Sequence, residues 1–268
     1  MTSLVDRLHP VDKEVQGHYR YLLERGRCEA AKSTLAVGMI ARDCAAALGR
    51  TLDAAAEVGE AFMDYEVHIA TNDCQDDTCG VISRKDMPIV HTDETLGRPH
   101  LGGTRERERT EALAEYRNAV RDRMPAAKWV LILDADLMEV TAERLIAGLG
   151  DLLTAGMDAM AAQQLAYVPS LTDSYLVSYD AFAFRPDWGW KTSPMIERSF
   201  HYDVRPSGAA VMPVKSAFGG ACWYEGDVFR EKHRRYDGSE GCEHVPFHRS
   251  LTMGVSPSMS VIGFLNGS

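Results

Sequence analysis

Residues 128 to 136 read Lys-Trp-Val-Leu-Ile-Leu-Asp-Ala-Asp. Five consecutive apolar side chains, Trp129 to Leu133, do not alternate between core and water, so the segment fits a strand covered on both faces, as in a mostly parallel α/β sheet. The run stops at two carboxylates. Side chains alternate along a strand, so Asp134 and Asp136 project to one side at its carboxyl end, the edge where open α/β sheets bind ligands. Two carboxylates so placed repel unless a cation lies between them. A hard divalent ion, Mn²⁺ or Mg²⁺, that also bridges to substrate phosphate oxygens meets that need. Asp-x-Asp is nevertheless a short pattern. Thr141 has the position of a helix N-cap ahead of Arg144 and Leu145, and from this segment alone a loop or capping role for one aspartate is an equal reading.

The chain before this strand supplies neighbours for it. Thr34 to Ile40 reads as a buried strand ending at Ala41, Arg42 and Asp43, and the alanine-rich stretch Ala45 to Gly59, with Leu48, Leu52 and Val58 at helical spacing, reads as the helix after it. Tyr65 to Ala70 reads as a second strand that runs into the polar, turn-prone segment Thr71 to Thr78. Right-handed crossovers between parallel strands bring these carboxyl ends to the edge that carries Asp134 and Asp136. Ala41, Arg42, Asp43, Asn72 and Asp73 thereby become candidates for a nucleotide pocket, with Asp43 or Asp73 suited to ribose hydroxyls or a base edge. For any one of them, a solvated turn is an equal reading.

Ile89 to Arg105, with Gly97, Pro99, Gly102 and Gly103, reads as a flexible loop with the makings of a lid. Glu106 to Met124 reads as a helix with Leu113, Tyr116, Val120 and Met124 on one stripe, ended by Pro125. Arg109 and Arg117 are its candidates for pyrophosphate contacts; a solvated basic face accounts for the other arginines of this region. Val11 to Ala31 has helical spacing and no evident chemistry. Residues 1–32 are therefore expected to be an N-terminal helical extension on a domain spanning 33–268, with a nucleotide half over about 33–140 and an acceptor half over about 141–268.

At 268 residues, 45% apolar and 25% charged, the chain suits one α/β domain. A net charge of -10 argues against a non-specific binder of nucleic acid or anionic membrane, while leaving room for a local phosphate pocket. No stretch reaches the length of a membrane span and Met1 to Pro10 lacks a secretory pattern, so the expected location is cytoplasmic. The six cysteines lack finger-type spacing and are expected as reduced thiols. Cys242, His244 and His248 show no evident fourth ligand for zinc.

The order of these segments, Ala41-Arg42-Asp43, Asn72-Asp73, Arg117-Asn118 and Leu131-Ile132-Leu133-Asp134-Ala135-Asp136, resembles the front half of a GT-A-fold glycosyltransferase. Ser178-Tyr179-Asp180-Ala181-Phe182-Ala183-Phe184-Arg185 resembles the Tyr-Asp-x-x-Ala-x-Arg segment of glycosyltransferases related to the fungal capsule-associated mannosyltransferases. Pro213 to Gly220 resembles their segment leading into a small-residue loop, and Cys242-Glu243-His244 resembles their later acidic motif at a helix start. Each segment is short; their shared order from Thr34 to Leu251 carries the resemblance.

The resemblance implies an α/β, GT-A-like (Rossmann-like) fold in one domain, a mostly parallel central sheet flanked by helices. It implies a metal-dependent transfer of a sugar from a UDP- or GDP-sugar to an acceptor hydroxyl, with Asp134 and Asp136 holding Mn²⁺ or Mg²⁺ against the donor diphosphate and Ala135 between them among the nucleotide-sugar-binding residues. The acceptor is left open among a glycan, a small molecule, a protein and a modified nucleobase. Glu243, a carboxylate at a helix start, is suited to take the acceptor proton as general base or to orient the hydroxyl. That role suits inversion, whereas the related fungal enzymes are retaining. GT-A enzymes often add a C-terminal histidine to the metal; none follows Met259, which leaves His248 as the expected ligand and His244 for the sugar or acceptor pocket. Packing is an equal reading for both rings. Gly219 and Gly220 allow close backbone approach to a ligand, as does any tight turn, and Trp188 and Trp190 are candidates to stack on sugar rings.

Three other classes share parts of this pattern. A phosphohydrolase of the haloacid-dehalogenase kind would use Asp134 as nucleophile, but its Asp-x-Asp opens the fold, whereas here two strand-helix units come first. A nucleotidyltransferase would need a glycine-rich basic loop near the N-terminus, which is missing. A non-catalytic sugar-nucleotide or glycan binder remains, separable by transfer and hydrolysis assays with and without Mn²⁺.

Overall fold

The computed structural model describes residues 3–101, 106–168, 175–178, 180, 182–187 and 204–263. Helices α1 (Leu4–Leu8) and α2 (Gln16–Ala30) precede the first unit, β1 (Thr34–Ala41), α3 (Ala45–Gly59), β2 (Asp64–Asn72), α4 (Thr78–Ser83) and β3 (Ile89–Glu94). Helix α5 (Arg107–Arg123) leads into β4 (Trp129–Asp134), followed by α6 (Ala142–Ala155), β5 (Ala159–Val168), β6 (Tyr175–Ser178) and β7 (Arg185–Pro186). The chain closes with β8 (Met212–Ser216), β9 (Ala221–Glu225), α7 (Gly226–Phe229), α8 (His244–Phe247) and β10 (Met253–Gly263).

Among the described residues the strands form one sheet in the order β3-β2-β1-β4-β9-β5-β10-β8-β7, with β6 pairing on β5. The four strands of the first half are parallel, as the uninterrupted apolar run in β4 requires. The second half is mixed: β9 runs antiparallel between β4 and β5, and β10 is parallel to β5 but antiparallel to β8. Side-chain alternation in β4 divides its apolar run between two cores. Trp129, Leu131 and Leu133 join the layer formed with α3 and α6, while Val130 and Ile132 join the layer formed with α5 and α8.

The amphipathic spacing of α6 starts at Thr141, whose hydroxyl accepts from the Arg144 N–H as an N-cap. Helix α2 packs on α6 backbone to backbone: a methyl group at Gly150 would stand 1.9 Å from the Leu22 carbonyl oxygen. The buried Arg144 guanidinium ties α1 to this layer through Asp6 Oδ1 at 2.8 Å and the His9 carbonyl at 2.9 Å. No helix among the described residues is long and apolar enough to cross a membrane.

One sequence expectation is corrected here. The segment read as a loop from Ile89 begins with strand β3, paired in parallel with β2 from Val67↔Ile89 to Asn72↔Glu94. It lies at the edge of the sheet and carries only a partly buried alternation, so its apolar signal is two residues long. The glycine-rich segment expected beyond it continues through Leu101; residues 102–105 are outside the described set.

Asp151, near the end of α6, is buried and accepts from the Ser256 hydroxyl at 2.6 Å. Burial pushes its carboxyl up from 3.8 to about 6, against hydrogen bonds from Ser256 and Ser258 and the neighbouring His18. The folded state therefore holds this proton more tightly than the unfolded chain. Its contribution to stability is present below about pH 4 and is lost as pH rises through about 6. In urea unfolding at pH 4 and pH 7.5, Asp151→Asn should reduce the drop in stability across that interval by up to about 3 kcal/mol relative to the parent chain. An unchanged pH profile would show that Asp151 ionises normally.

Candidate active site

The sheet reverses its build direction at β1, whose two parallel neighbours are β2 on one side and β4 on the other. Such a switch point leaves a crevice beyond the carboxyl ends of the two central strands. Register aligns Ile40 with Asp134 there, so Ala41 and Arg42 leave β1 beside the carboxylates that leave β4. A cleft of about 450 Å³ opens at this point. Its lining includes Ala41, Arg42, Asn72, Arg109, Arg117, Asp134, Ala135, Asp136, Gly219, Gly220, Glu243 and His244.

The centre of the cleft wall is Arg117, on the face of α5 turned toward the sheet. Its guanidinium donates from Nη2 to Asp134 Oδ1 at 3.0 Å and from Nε to Glu243 Oε1 at 2.9 Å, and it lies 4.9 Å from the centre of the Phe218 ring. Burial works against its charge, yet the carboxylates of Glu243 and Asp134 outweigh burial and hold the guanidinium above its ordinary range. One cation thus joins the end of β4 to the residue that opens α8.

Asp136 is differently placed. Burial and the adjoining charge of Asp134 push its carboxyl up to about 6, with Arg117 and Arg109 acting in the opposite direction. Desolvated like charges at the end of one strand are the situation a divalent cation relieves. On the facing wall, Asp180 is buried, and burial raises it to about 6 even though the N–H groups of Phe218, Ala183 and Gly219 point at it. The Phe218 N–H donates to Asp180 Oδ2 at 2.8 Å. These bonds fix the turn before β9, in which Gly219 and Gly220 take φ of 59° and 77°. A Cβ at Gly219 would meet the Ala162 carbonyl oxygen at 2.1 Å, so the first glycine is required by packing against β5 as well as by its backbone. The Gly220 carbonyl in turn accepts from the Asp134 N–H at 2.8 Å.

His244 is buried against the cleft, stacked on Phe218 with ring centroids 4.0 Å apart. Among the described residues neither of its ring nitrogens has a hydrogen-bond partner. Burial, with the charge of Arg117, holds the ring far below the ordinary histidine range and therefore neutral at pH 7.

Several expected residues are elsewhere. His248 does not line the cleft: Nδ1 pairs with the Ser216 hydroxyl at 2.9 Å and Nε2 with the Tyr224 hydroxyl at 2.7 Å. With both nitrogens engaged inside the core, the ring presents no lone pair to a metal at Asp134 and Asp136. Asp73 also does not line it. Its Oδ1 accepts from the N–H groups of Leu96 and Gly97 at 3.0 and 2.9 Å and its Oδ2 from Arg98 at 3.2 Å, so this carboxylate folds the segment after β3 instead of facing a ribose. Asp43 likewise accepts from the Gln75 N–H at 2.6 Å, and both aspartates take positive φ, 48° and 49°. Trp188 and Trp190 lie outside the described residues.

The cleft also contains residues outside the expected site set, among them Arg98, Tyr116, Gln164, Asp180 and Phe218. Gln163 and Gln164 stand out in retrospect as two amides inside an apolar strand. Alternation sends the buried Gln163 side chain to the Arg205 backbone, at 2.8 and 3.0 Å, and Gln164 to the cleft.

The fold is that of the GT-A glycosyltransferases. S. aureus TarS, fragment 1–349, superposes with a TM-score of 0.52 at 11% sequence identity over 86% of this chain. The same fragment in complex with UDP-GlcNAc gives 0.53 at 12% identity over 88% of the chain. The chain spans about 60% of the length of that fragment. No family model and no curated protein sequence matches the chain.

Replacing Arg117 with methionine should leave Asp134 and Glu243 without their cation and lower stability by about 3 kcal/mol in urea unfolding without metal. Adding Glu243→Gln to Arg117→Met should restore part of that loss, because one of the stranded charges is removed. Additive losses would contradict the bridge.

Proposed function

We propose that the chain is a metal-dependent glycosyltransferase that moves a sugar from a UDP- or GDP-sugar to an acceptor hydroxyl. The observation that carries this reading is the half-buried carboxylate pair Asp134 and Asp136 at the switch-point cleft, with Arg117 and Arg109 acting on it. A uridine nucleotide is the first donor class to test, because a protein of the same fold has been solved with UDP-GlcNAc.

The donor set fits a hard divalent ion. Asp134 and Asp136 offer oxygen ligands alone, and the Asp136 carboxyl is raised by burial first and by the charge of Asp134 second, the latter a repulsion such an ion would remove. Bound there, Mn²⁺ or Mg²⁺ supplies Lewis-acid stabilisation of the departing nucleoside diphosphate. Every other contribution belongs to the protein. Arg109 and Arg117 bring positive potential to the diphosphate end of the cleft. Ala41, Arg42 and Asn72, at the ends of β1 and β2, form the wall for the nucleoside. Gly219 and Gly220 let backbone approach the sugar, and the neutral, stacked His244 offers ring nitrogens to a sugar or acceptor hydroxyl.

Glu243 is the proposed general base, with the acceptor hydroxyl's proton passing to its carboxylate as the new glycosidic bond forms. Arg117 fixes its position through Oε1. This assignment corresponds to inversion at the anomeric carbon. The acceptor is a hydroxyl of a glycan, a small molecule, a protein or a modified nucleobase, and the negative charge of the chain, -10, makes a nucleic acid the least favoured of these. The hydrolase reading, with Asp134 as nucleophile, is disfavoured because the Asp-x-Asp follows β1-α3 and β2-α4 instead of opening the fold.

In an assay of donor hydrolysis by water with Mn²⁺ present, Asp136→Ala should reduce turnover by at least about 1,000-fold. Its melting temperature should stay level or rise, since a desolvated like charge has been removed. An active Asp136→Ala enzyme would sink the assignment. Once an acceptor is in hand, Glu243→Gln should slow transfer by about 100-fold or more while donor affinity changes less than about 3-fold. A collapse of donor affinity would instead make Glu243 part of the donor site.

A further inference from the structure

Beyond the cleft, the end of β2 and the edge strand β3 bring together a second group of metal-binding side chains. Cys79, His91 and Asp93 offer ligand atoms that all lie within 4.8 Å of one another. His91 and Asp93 are two apart on β3 and so project from the same face of the strand, while Cys79 reaches them from the first turn of α4. The Thr71 hydroxyl at the end of β2 touches all three, 2.8 Å from His91 Nε2, 2.7 Å from Asp93 Oδ1 and 3.6 Å from Cys79 Sγ. A second thiol adjoins them. Cys74 neighbours Cys79, and its own Sγ is 4.0 Å from the Ala41 carbonyl oxygen. None of these four candidate ligands lines the cleft.

We propose that Cys74, Cys79, His91 and Asp93 form a structural zinc site that pins the turn after β2 to the edge strand. The donor chemistry selects the ion. Two thiolates and an imidazole favour Zn²⁺ over Mg²⁺, Mn²⁺ or Ca²⁺, whereas the all-oxygen pair Asp134 and Asp136 has the opposite preference. A tetrahedral zinc with bonds of about 2.0–2.3 Å sets its ligand atoms about 3.3–3.8 Å apart. The separations among Cys79, His91 and Asp93, none above 4.8 Å, contract to that range by about 1 Å, and Cys74 joins them from the neighbouring turn by rotation of its side chain. Asp93 is exposed, which gives the ion a way in, and Thr71 is placed to hydrogen-bond the ligands and orient them.

Binding releases a proton from each thiol to solvent as the two sulfur–zinc bonds form. The segment so clamped is the one that also organises the cleft rim. Asp76, within it, accepts from the Ala45 N–H at 2.9 Å at the start of α3, and Asn72 beside Thr71 lines the cleft. A zinc ion here would therefore stiffen the wall next to Arg42 without touching a ligand in the cleft.

The test uses the full chain carrying Asp134→Asn and Asp136→Asn, so that binding in the cleft is removed, with the thiols kept reduced. Zinc titration against a chromophoric chelator should give one equivalent per chain. Cobalt substitution should give a thiolate-to-cobalt charge-transfer band with tetrahedral ligand-field intensity. Cys79→Ser and, separately, His91→Asn should weaken zinc binding by about 100-fold or more, with circular dichroism unchanged in the absence of metal. Cys74→Ser should roughly halve the charge-transfer band, as expected when one of two thiolates is lost. Failure to take up zinc, or uptake indifferent to both Cys79→Ser and His91→Asn, would overturn the site; an unchanged band in Cys74→Ser would remove Cys74 from it.

Discussion

The buried guanidinium of Arg117 is the contact on which the cleft depends. Two carboxylates, half-buried Asp134 from the end of β4 and buried Glu243 from the start of α8, lie beside it at 3.0 and 2.9 Å. Removing water from three charges costs more than any pair of them recovers unless the geometry is close and complete. Here the cation lies between both anions and over the Phe218 ring, so the arrangement is self-consistent. It also couples parts of the chain far apart in sequence, since α5, β4 and α8 meet at this one group. The proposed metal carboxylate and the proposed base then share a fixed reference point.

The sheet explains why those residues can meet at all. Four parallel strands require crossovers, and reversing the build direction at β1 leaves a crevice that no crossover covers. The antiparallel strand β9 then delivers the Gly219-Gly220 turn against Asp134, through the hydrogen bond between the Asp134 N–H and the Gly220 carbonyl. Asp180 holds that turn from the other side. The two halves of the sheet, parallel and mixed, thus contribute opposite walls of one cleft.

The first half was legible because its signals are local. An uninterrupted apolar run that ends in carboxylates identifies a central strand, and alanine-rich periodicity between Ala45 and Gly59 matches α3 at both ends. Edge strand β3 escaped notice since only Ile89 and Val90 in it are apolar. Asp43 and Asp73 mark a different limit. Sequence shows that a carboxylate stands at a strand end, but not whether it turns to the ligand or to the backbone N–H groups of the next loop. His248 shares that ambiguity: a helical pair of histidines looks alike whether a ring faces a metal or, as here, Ser216 and Tyr224. Asp180 and Gln164 depend on long-range pairing, and only the folded sheet reveals which side of β5 faces the cleft.

The most direct measurement is calorimetric titration of the chain with UDP and with GDP, each in Mn²⁺ and in chelator. The account predicts saturable binding of one nucleoside diphosphate that disappears with chelator. Binding of neither, or binding that persists unchanged when the metal is withdrawn, would contradict a metal-bridged nucleotide site at Asp134 and Asp136.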